Sequence, residues 1–188
     1  LATAGVVGIA ISFGAQSLVK DYFTGFVMLM ENQIRQSDVI DIANKSGTVE
    51  EVTLRYVRLR DGDGAVHFVP NSAISTVTNH SRDFAYSVVE IGVAYNVNLG
   101  HAYEVVKQVG AQLRMHPEYK PKIIDDIEIL GVNQLGDSSI TLRLRMKVQP
   151  SEQWGIRRAL LAALKEAFEA NGIEIPYPQR VVHTVKEN

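Results

Sequence analysis

From Leu1 to Val19 the chain carries no charged side chain and is crowded with glycine and alanine. Wound as a helix, that run is roughly 28 Å long, close to the hydrocarbon thickness of a bilayer. A core helix in water has little use for so many small residues, whereas helices packed closely in lipid depend on them. On a wheel of about 100° per residue, Ala2, Val6, Ile9, Phe13 and Gln16 share one narrow face. Small residues flank that face, with Ala4, Gly8, Ser12 and Ala15 on one side and Thr3, Ala10 and Gly14 on the other. Gly5 adds to the same packing set, and Val7, Ile11 and Leu18 point away. A helix smooth on two opposed flanks accepts a neighbour on each, and one contact repeated by rotation closes a ring. The narrow face then lines the axis, which describes a pore. A single-span anchor with a small-residue dimer face satisfies the same wheel.

Lys20-Asp21 interrupts the apolar run, and Tyr22 to Met30 resumes it for nine residues before Glu31. Nine residues do not cross a membrane again. They suit an interfacial or protein-covered helix that leaves the first at an angle, with Gly14 and Ser17 where such a bend would fall. The chain starts inside the run without a methionine, so further membrane sequence is expected upstream. Basic residues after the span (Lys20, Arg35, Lys45, Arg55, Arg58, Arg60) favour a cytoplasmic side for the remainder of the chain. Mean hydropathy over the chain is −0.01, so most of its 188 residues belong in water.

Past Ser37 the pattern becomes short strands. Asp38–Ala43 is one and Val52–Arg60 another; the latter runs through Asp61-Gly-Asp-Gly64 into Ala65–Val69, where Asp-Gly marks a hairpin. Pro70-Asn71 ends the returning strand. This is a curved β unit of four or five strands, too small to bury much surface alone. Residues 84 to 177 read as β-α-β-β-α-β, the ferredoxin-like plan: strand Ser87–Ala94, helix His101–Leu113, strand Ile127–Val132, an alternating strand Ile140–Val148, helix Glu152–Ala170 stopped by Gly172, and a last strand Ile173–Ile175. Gln179–Val185 reads as one more extended strand, suited to pairing with copies of itself.

Chemistry is sparse. No cysteine is present, which removes disulfides, thiolate catalysis and cysteine-held metals. His67, His80, His101, His116 and His183 lack metal-ligand spacing, so no metal or cofactor is expected. Asp125, Asp126 and Glu128 read as a solvated strand entry, and Asp61 to Gly64 is too short for a calcium loop. A net charge of −2 argues against nucleic acid. Arg143, Arg145 and Lys147 form a basic stripe, ordinarily a solvated face, otherwise a phosphate site or a field for permeating ions. The chain does not read as an enzyme.

Gly8-Ile-Ala-Ile-Ser-Phe-Gly-Ala-Gln-Ser-Leu-Val-Lys-Asp21 with Gly25, Gly47-Thr-Val49, Pro70-Asn71-Ser-Ala-Ile74, Asn79-His-Ser-Arg82, Ile91-Gly-Val-Ala-Tyr95 and Ile175-Pro-Tyr-Pro-Gln179 occur in this order. In this the chain resembles the mechanosensitive channel of small conductance family along essentially its whole length. The resemblance implies a membrane α-helix followed by an α+β region. Residues 1–34 would be the pore helix and bent membrane-surface helix, 35–83 a small Sm-like β domain, 84–177 the ferredoxin-like domain, and 178–188 one strand of an inter-subunit barrel. It implies a homoheptamer in the cell inner membrane, multi-pass in the full protein, whose partners are itself, the bilayer and permeating ions. Residues beyond about 30 would be cytoplasmic. Ile9 and Phe13 fall on the family's pore constriction, Gln16 and Ser17 on its hinge, and Gly47, Pro70, Asn71 and Asn79 on its cytoplasmic signature. The implied activity is release of ions and osmolytes on hypo-osmotic shock. A membrane-anchored oligomeric scaffold, or an RNA- or protein-binding module, is the alternative.

Overall fold

The structure, a computed structural model, describes the backbone of residues 2–180 and the side chains of residues 12–180. It divides into two compact units, one ending at Arg82 and the other beginning at Asp83.

Unit 1 begins with one helix, α1, Ala2–Met30. No proline interrupts it, and the helical assignment runs unbroken through Gly14, Gln16 and Ser17, where the sequence suggested two pieces. A lone glycine costs a helix only about 1 kcal/mol and removes no hydrogen bond. The helix stops at Asn32, whose φ of 54° is left-handed. There Asn32 N donates to the Leu29 carbonyl (3.3 Å) and Gln33 N to that of Met28 (3.1 Å), the paired bonds of a Schellman cap.

Five strands come next: β1 Val39–Ile42, β2 Lys45–Val52, β3 Tyr56–Arg60, β4 Val66–Pro70 and β5 Thr78–Asn79. They form one antiparallel sheet in the order β4-β3-β2-β1-β5. The run expected as a single strand from Val52 to Arg60 is broken at Thr53. Its hydroxyl donates to the Tyr56 carbonyl (2.8 Å) and accepts from Arg55 N and Tyr56 N, which folds the chain into a hairpin turn. The Asp-Gly hairpin forms as expected: Asp61 Oδ1 accepts from Asp63 N and Ala65 N, and Oδ2 meets His67 Nε2 at 2.8 Å. A β-bulge between Val49 and Glu51 bends β2. Ile40, Ile42, Val49, Val57, Leu59 and Val69 fill the core, and Met28 reaches into it from α1.

Unit 2 comprises β6 Ala85–Val93, α2 Leu99–Met115, β7 Glu128–Leu135, β8 Ile140–Val148 and α3 Gln153–Ala170. The sheet order is β6-β8-β7, antiparallel throughout. Asn98 caps α2 by accepting from His101 N. Gly172, at φ 66°, closes α3 with a second Schellman pair, Ile173 N to Phe168 O (2.8 Å) and Gly172 N to Glu169 O (3.2 Å). The inward residues of β8 (Ile140, Leu142, Leu144, Met146, Val148) pack on Val105, Val106 and Val109 of α2 and on Ile156, Leu160, Leu164 and Phe168 of α3.

The sheet has three strands where four were expected. Ile173 is buried and the Glu174 carbonyl accepts from Ala94 N at 3.1 Å, yet no ladder develops. Pro176 and Pro178 supply no N–H and stop the pairing. The expected terminal strand from Gln179 to Val185, and His183 with it, lie mostly outside the described residues; Pro178 to Arg180 carry no regular structure.

Candidate pore helix and its seat on the sheet

The narrow face of α1 is only partly on view. Gly5, Gly8, Ile9 and Ala10 lie on the helical backbone, but their side chains are outside the described residues. Phe13 is 74% exposed, an unusual position for a phenyl ring in water. A Cβ built on Gly14 would meet nothing within 4 Å. Its backbone is ordinary helix, so neither turn geometry nor packing within this copy requires glycine there. Ser12, Gln16 and Ser17 are exposed and Ala15 is half-buried.

The second half of α1 is held firmly. Asp21, only 7% exposed, accepts from Ser72 N through Oδ1 at 2.7 Å. Hydrogen bonding from both the Ser72 side chain and backbone holds the Asp21 carboxyl below its ordinary value, with Arg55 and Lys20 adding smaller attractions. Asn71 is fully buried; its Nδ2 donates to the Thr53 carbonyl (3.0 Å) and, more weakly, to that of Asp21 (3.5 Å). Gly25 faces the same place. A Cβ there would overlap the Leu54 carbonyl and Asn71 Nδ2, so only glycine lets the helix lie this close to the β2–β3 turn. Pro70, at φ −58°, ends β4 and delivers Asn71 into a 3₁₀ turn, Asn71–Ala73, under the helix.

The remaining signature residues shape unit 1. Gly47 is buried where a Cβ would stand 2.5 Å from the Arg60 carbonyl, so β2 and β3 approach closely only because it is glycine. Asn79 Nδ2 donates to Asp38 Oδ2 (2.7 Å) and its Oδ1 accepts from Ser81 N (3.0 Å), fastening β5 to the start of β1. His80 adds an Asp41 contact at 2.7 Å across the same pair of strands.

The basic stripe on β8 is neutralised in place. Arg143 pairs with Glu90 (3.3 Å), Arg145 with Glu128 (2.6 Å) and Lys147 with Asp125 (3.7 Å). Arg145 also lies over the Tyr86 ring and Lys147 over that of Phe84. The acids at 125, 126 and 128 are thus ion-pair partners, Asp126 serving Arg114. Among the described residues no three His, Asp or Glu are grouped to hold a metal. Nor is any helix among them long and apolar enough to cross a membrane; the side chains of residues 1–11, most of the uncharged run, are outside that set.

What sequence reading missed is the seat itself. Asp21, Gly25 and Asn71 each stand in a recognisable motif, but their meeting depends on the Thr53 turn, which the β pattern concealed.

A helix laid on a five-stranded β unit and followed by a β-α-β-β-α unit is an architecture found in other solved structures. The chain matches the closed-state crystal structure of Helicobacter pylori MscS with a TM-score of 0.83 at 23% identity, over 99% of this chain and 73% of that one. It matches Arabidopsis thaliana MSL1 at 0.69 and 18% identity, covering 95% and 65%. These likenesses define the fold. The family models decide the rest: residues 17–82 match the β domain of mechanosensitive ion channels, and residues 87–175 match the MscS C-terminal domain. The chain belongs to the MscS family of mechanosensitive channels. Its relatives include the small-conductance mechanosensitive channel of Caldanaerobacter subterraneus subsp. tengcongensis, 32% identical over 97% of this chain and 64% of that protein. The moderate conductance mechanosensitive channel YbiO of Escherichia coli is 35% identical over 94% of this chain and 24% of its own length. The chain therefore spans under two thirds of these relatives.

Proposed function

We propose that this chain supplies the pore-lining helix and the β and C-terminal domains of a membrane channel opened by bilayer tension, passing ions and small osmolytes on hypo-osmotic shock. In this reading identical copies, seven by analogy with the family, stand their uncharged helices around one axis. Ile9 and Phe13 form two apolar rings there, and a constriction of that kind excludes ions by dewetting. Gly5, Gly8, Ala10, Ser12, Gly14 and Ala15 let neighbouring helices approach and slide. The open state occupies more area in the bilayer plane, so tension shifts a two-state equilibrium toward it. Residues 1–19 span the inner membrane, Gln16 and Ser17 mark the hinge, and residues beyond about 30 lie on the cytoplasmic side.

The observation that carries this is the pairing of an exposed Phe13 with a contact-free Gly14 on the uncharged stretch of α1. Phe13 needs an apolar environment, and Gly14 costs helix stability that nothing within this copy repays. Neighbouring helices supply both needs. The scaffold or RNA-binding alternative draws on the β unit and the basic stripe, and the three cations of the stripe are each held by a carboxylate.

The test is suction on membrane patches containing the protein. Ile9→Ser and Phe13→Ser hydrate the constriction and lower the opening tension, whereas Gly8→Leu raises it. Unchanged thresholds for both serine variants rule out this gate.

A further inference from the structure

The stop of α1 and the last residue of unit 1 are tied to each other. Arg82, with which unit 1 ends, donates from Nη1 to the carbonyl of Asn32, the left-handed residue that stops the helix (2.7 Å). Asn32 is also held through its side chain, Oδ1 accepting from Arg35 Nε at 2.9 Å. Arg35 N donates in turn to Asp38 Oδ2 (2.9 Å), and the same oxygen accepts from Asn79 Nδ2 (2.7 Å). Asn79 Oδ1 accepts from Ser81 N (3.0 Å), and Arg82 is the next residue along the chain. The bonds close a circuit through the cap of α1, the entry to β1 and the exit from β5. A cation suits the place it fills, because carbonyls at a helix C-terminus lack helical donors and carry partial negative charge. Strand β5 has only two residues and meets β1 through Ile40–Asn79 and Asp41–Thr78, so the side-chain ties carry much of the attachment of the exit segment. The second half of α1 is thus fastened at both ends, by Asp21 to Ser72 N and by Asn32 to Arg82.

Resting on the channel reading above, we propose that Arg82 is a positioning residue of the gate: by pinning the Asn32 carbonyl it holds the cap of α1 on the β unit. The uncharged first half of α1 then moves outward only by bending the helix or by breaking this bond. Strain of that kind falls on the open state alone, so the pin shifts the two-state equilibrium toward the closed one. Arg82 therefore raises the tension at which the channel opens, without itself standing in the pore helix.

The test combines amide hydrogen exchange on the purified full-length protein with suction on membrane patches. The amides of Glu31, Asn32, Gln33 and Arg35 are all hydrogen-bonded and report the cap. Arg82→Gln is expected to speed their exchange about fivefold, the loss of one hydrogen bond, while the amides of β3 and α3 keep the wild-type rate. The same variant should open at lower tension. Arg82→Lys still donates to a carbonyl and should match wild type in both measurements. Arg82 is exposed, so the melting transition should not move for either variant. Unchanged exchange at the cap in Arg82→Gln overturns the pin. Faster exchange with an unchanged or raised opening tension overturns its part in gating, as does a lysine variant that behaves like the glutamine one. A wild type silent under suction defeats the channel reading itself, and the exchange rates still decide whether Arg82 holds the cap.

Discussion

Helix α3 turns Ile156, Leu160, Leu164 and Phe168 into a core that excludes water completely, while α1 leaves Phe13, Phe23, Phe26 and Met30 in the open. The charges divide in the same way. The cations of β8 in unit 2 are met by Glu90, Asp125 and Glu128 in close ion pairs, whereas Lys20 and Arg55 in unit 1 are exposed and make only small contributions to holding the Asp21 carboxyl low. Unit 2 closes its main core within one copy. Unit 1 closes the core of its sheet but leaves these apolar side chains of α1 exposed. In the proposed reading, neighbouring copies and the bilayer cover that helix, which makes the protein responsive to both.

That contrast can be broken at its strongest point first. Phe168→Ala should cost unit 2 about 3–5 kcal/mol. Trp154, the only tryptophan, lies on α3 and reports that loss directly by its fluorescence during chemical denaturation. Changes at the seat of α1 should leave the Trp154 transition where it is. Asp21→Ala removes a charge-assisted bond to Ser72 N and should cost unit 1 about 1.5–3 kcal/mol, measured by hydrogen exchange of the β1–β4 amides. A Trp154 transition that moved with it would mean the two units unfold as one.

The same variant carries a pH signature. The folded Asp21 carboxyl is held below its ordinary value of 3.8, so its contribution is full above that pH and is lost as pH falls through the lowered folded value. The gap in unit 1 protection between wild type and Asp21→Ala should therefore be constant near neutrality and close in acid. Gly25→Ala forces a methyl group against the Leu54 carbonyl, a rigid backbone atom, and should cost about 1–3 kcal/mol; Gly14→Ala, with open space around it, should not destabilise the isolated copy. The smallest effect is expected at Arg145→Gln, an exposed ion pair, with no measurable shift of the Trp154 transition.

Much of unit 2 was legible from its sequence because β8 alternates cleanly and α3 repeats its apolar residues at helical spacing. Its last strand was not, because Ile173-Glu-Ile175 has strand chemistry and only the neighbouring prolines reveal that a ladder cannot extend. In unit 1 the Asp-Gly hairpin declared itself, yet the turn at Thr53 was hidden. Threonine, leucine and arginine fit a strand as well as a turn, and the hydroxyl that folds them acts through bonds no spacing rule exposes. The β1–β2 hairpin was silent for a similar reason, since Ala43 sits at φ 46° where glycine is the usual signal. The face of α1 could be drawn on a wheel, but in the proposed reading its partner is another copy of the chain. Gly25 and Asn71 became intelligible only when the helix and the turn were seen together.

The central claim is that Phe13 faces a water-filled path when the channel opens, and the absence of cysteine makes it directly testable. Phe13→Cys and Leu18→Cys, each the only thiol in this chain, are recorded under suction before and after a charged methanethiosulfonate reagent is added to the bath. The account predicts that conductance changes abruptly for the cysteine at position 13 and stays constant for the one at position 18. Modification that alters current only at position 18, or at neither position while both channels open, would contradict it.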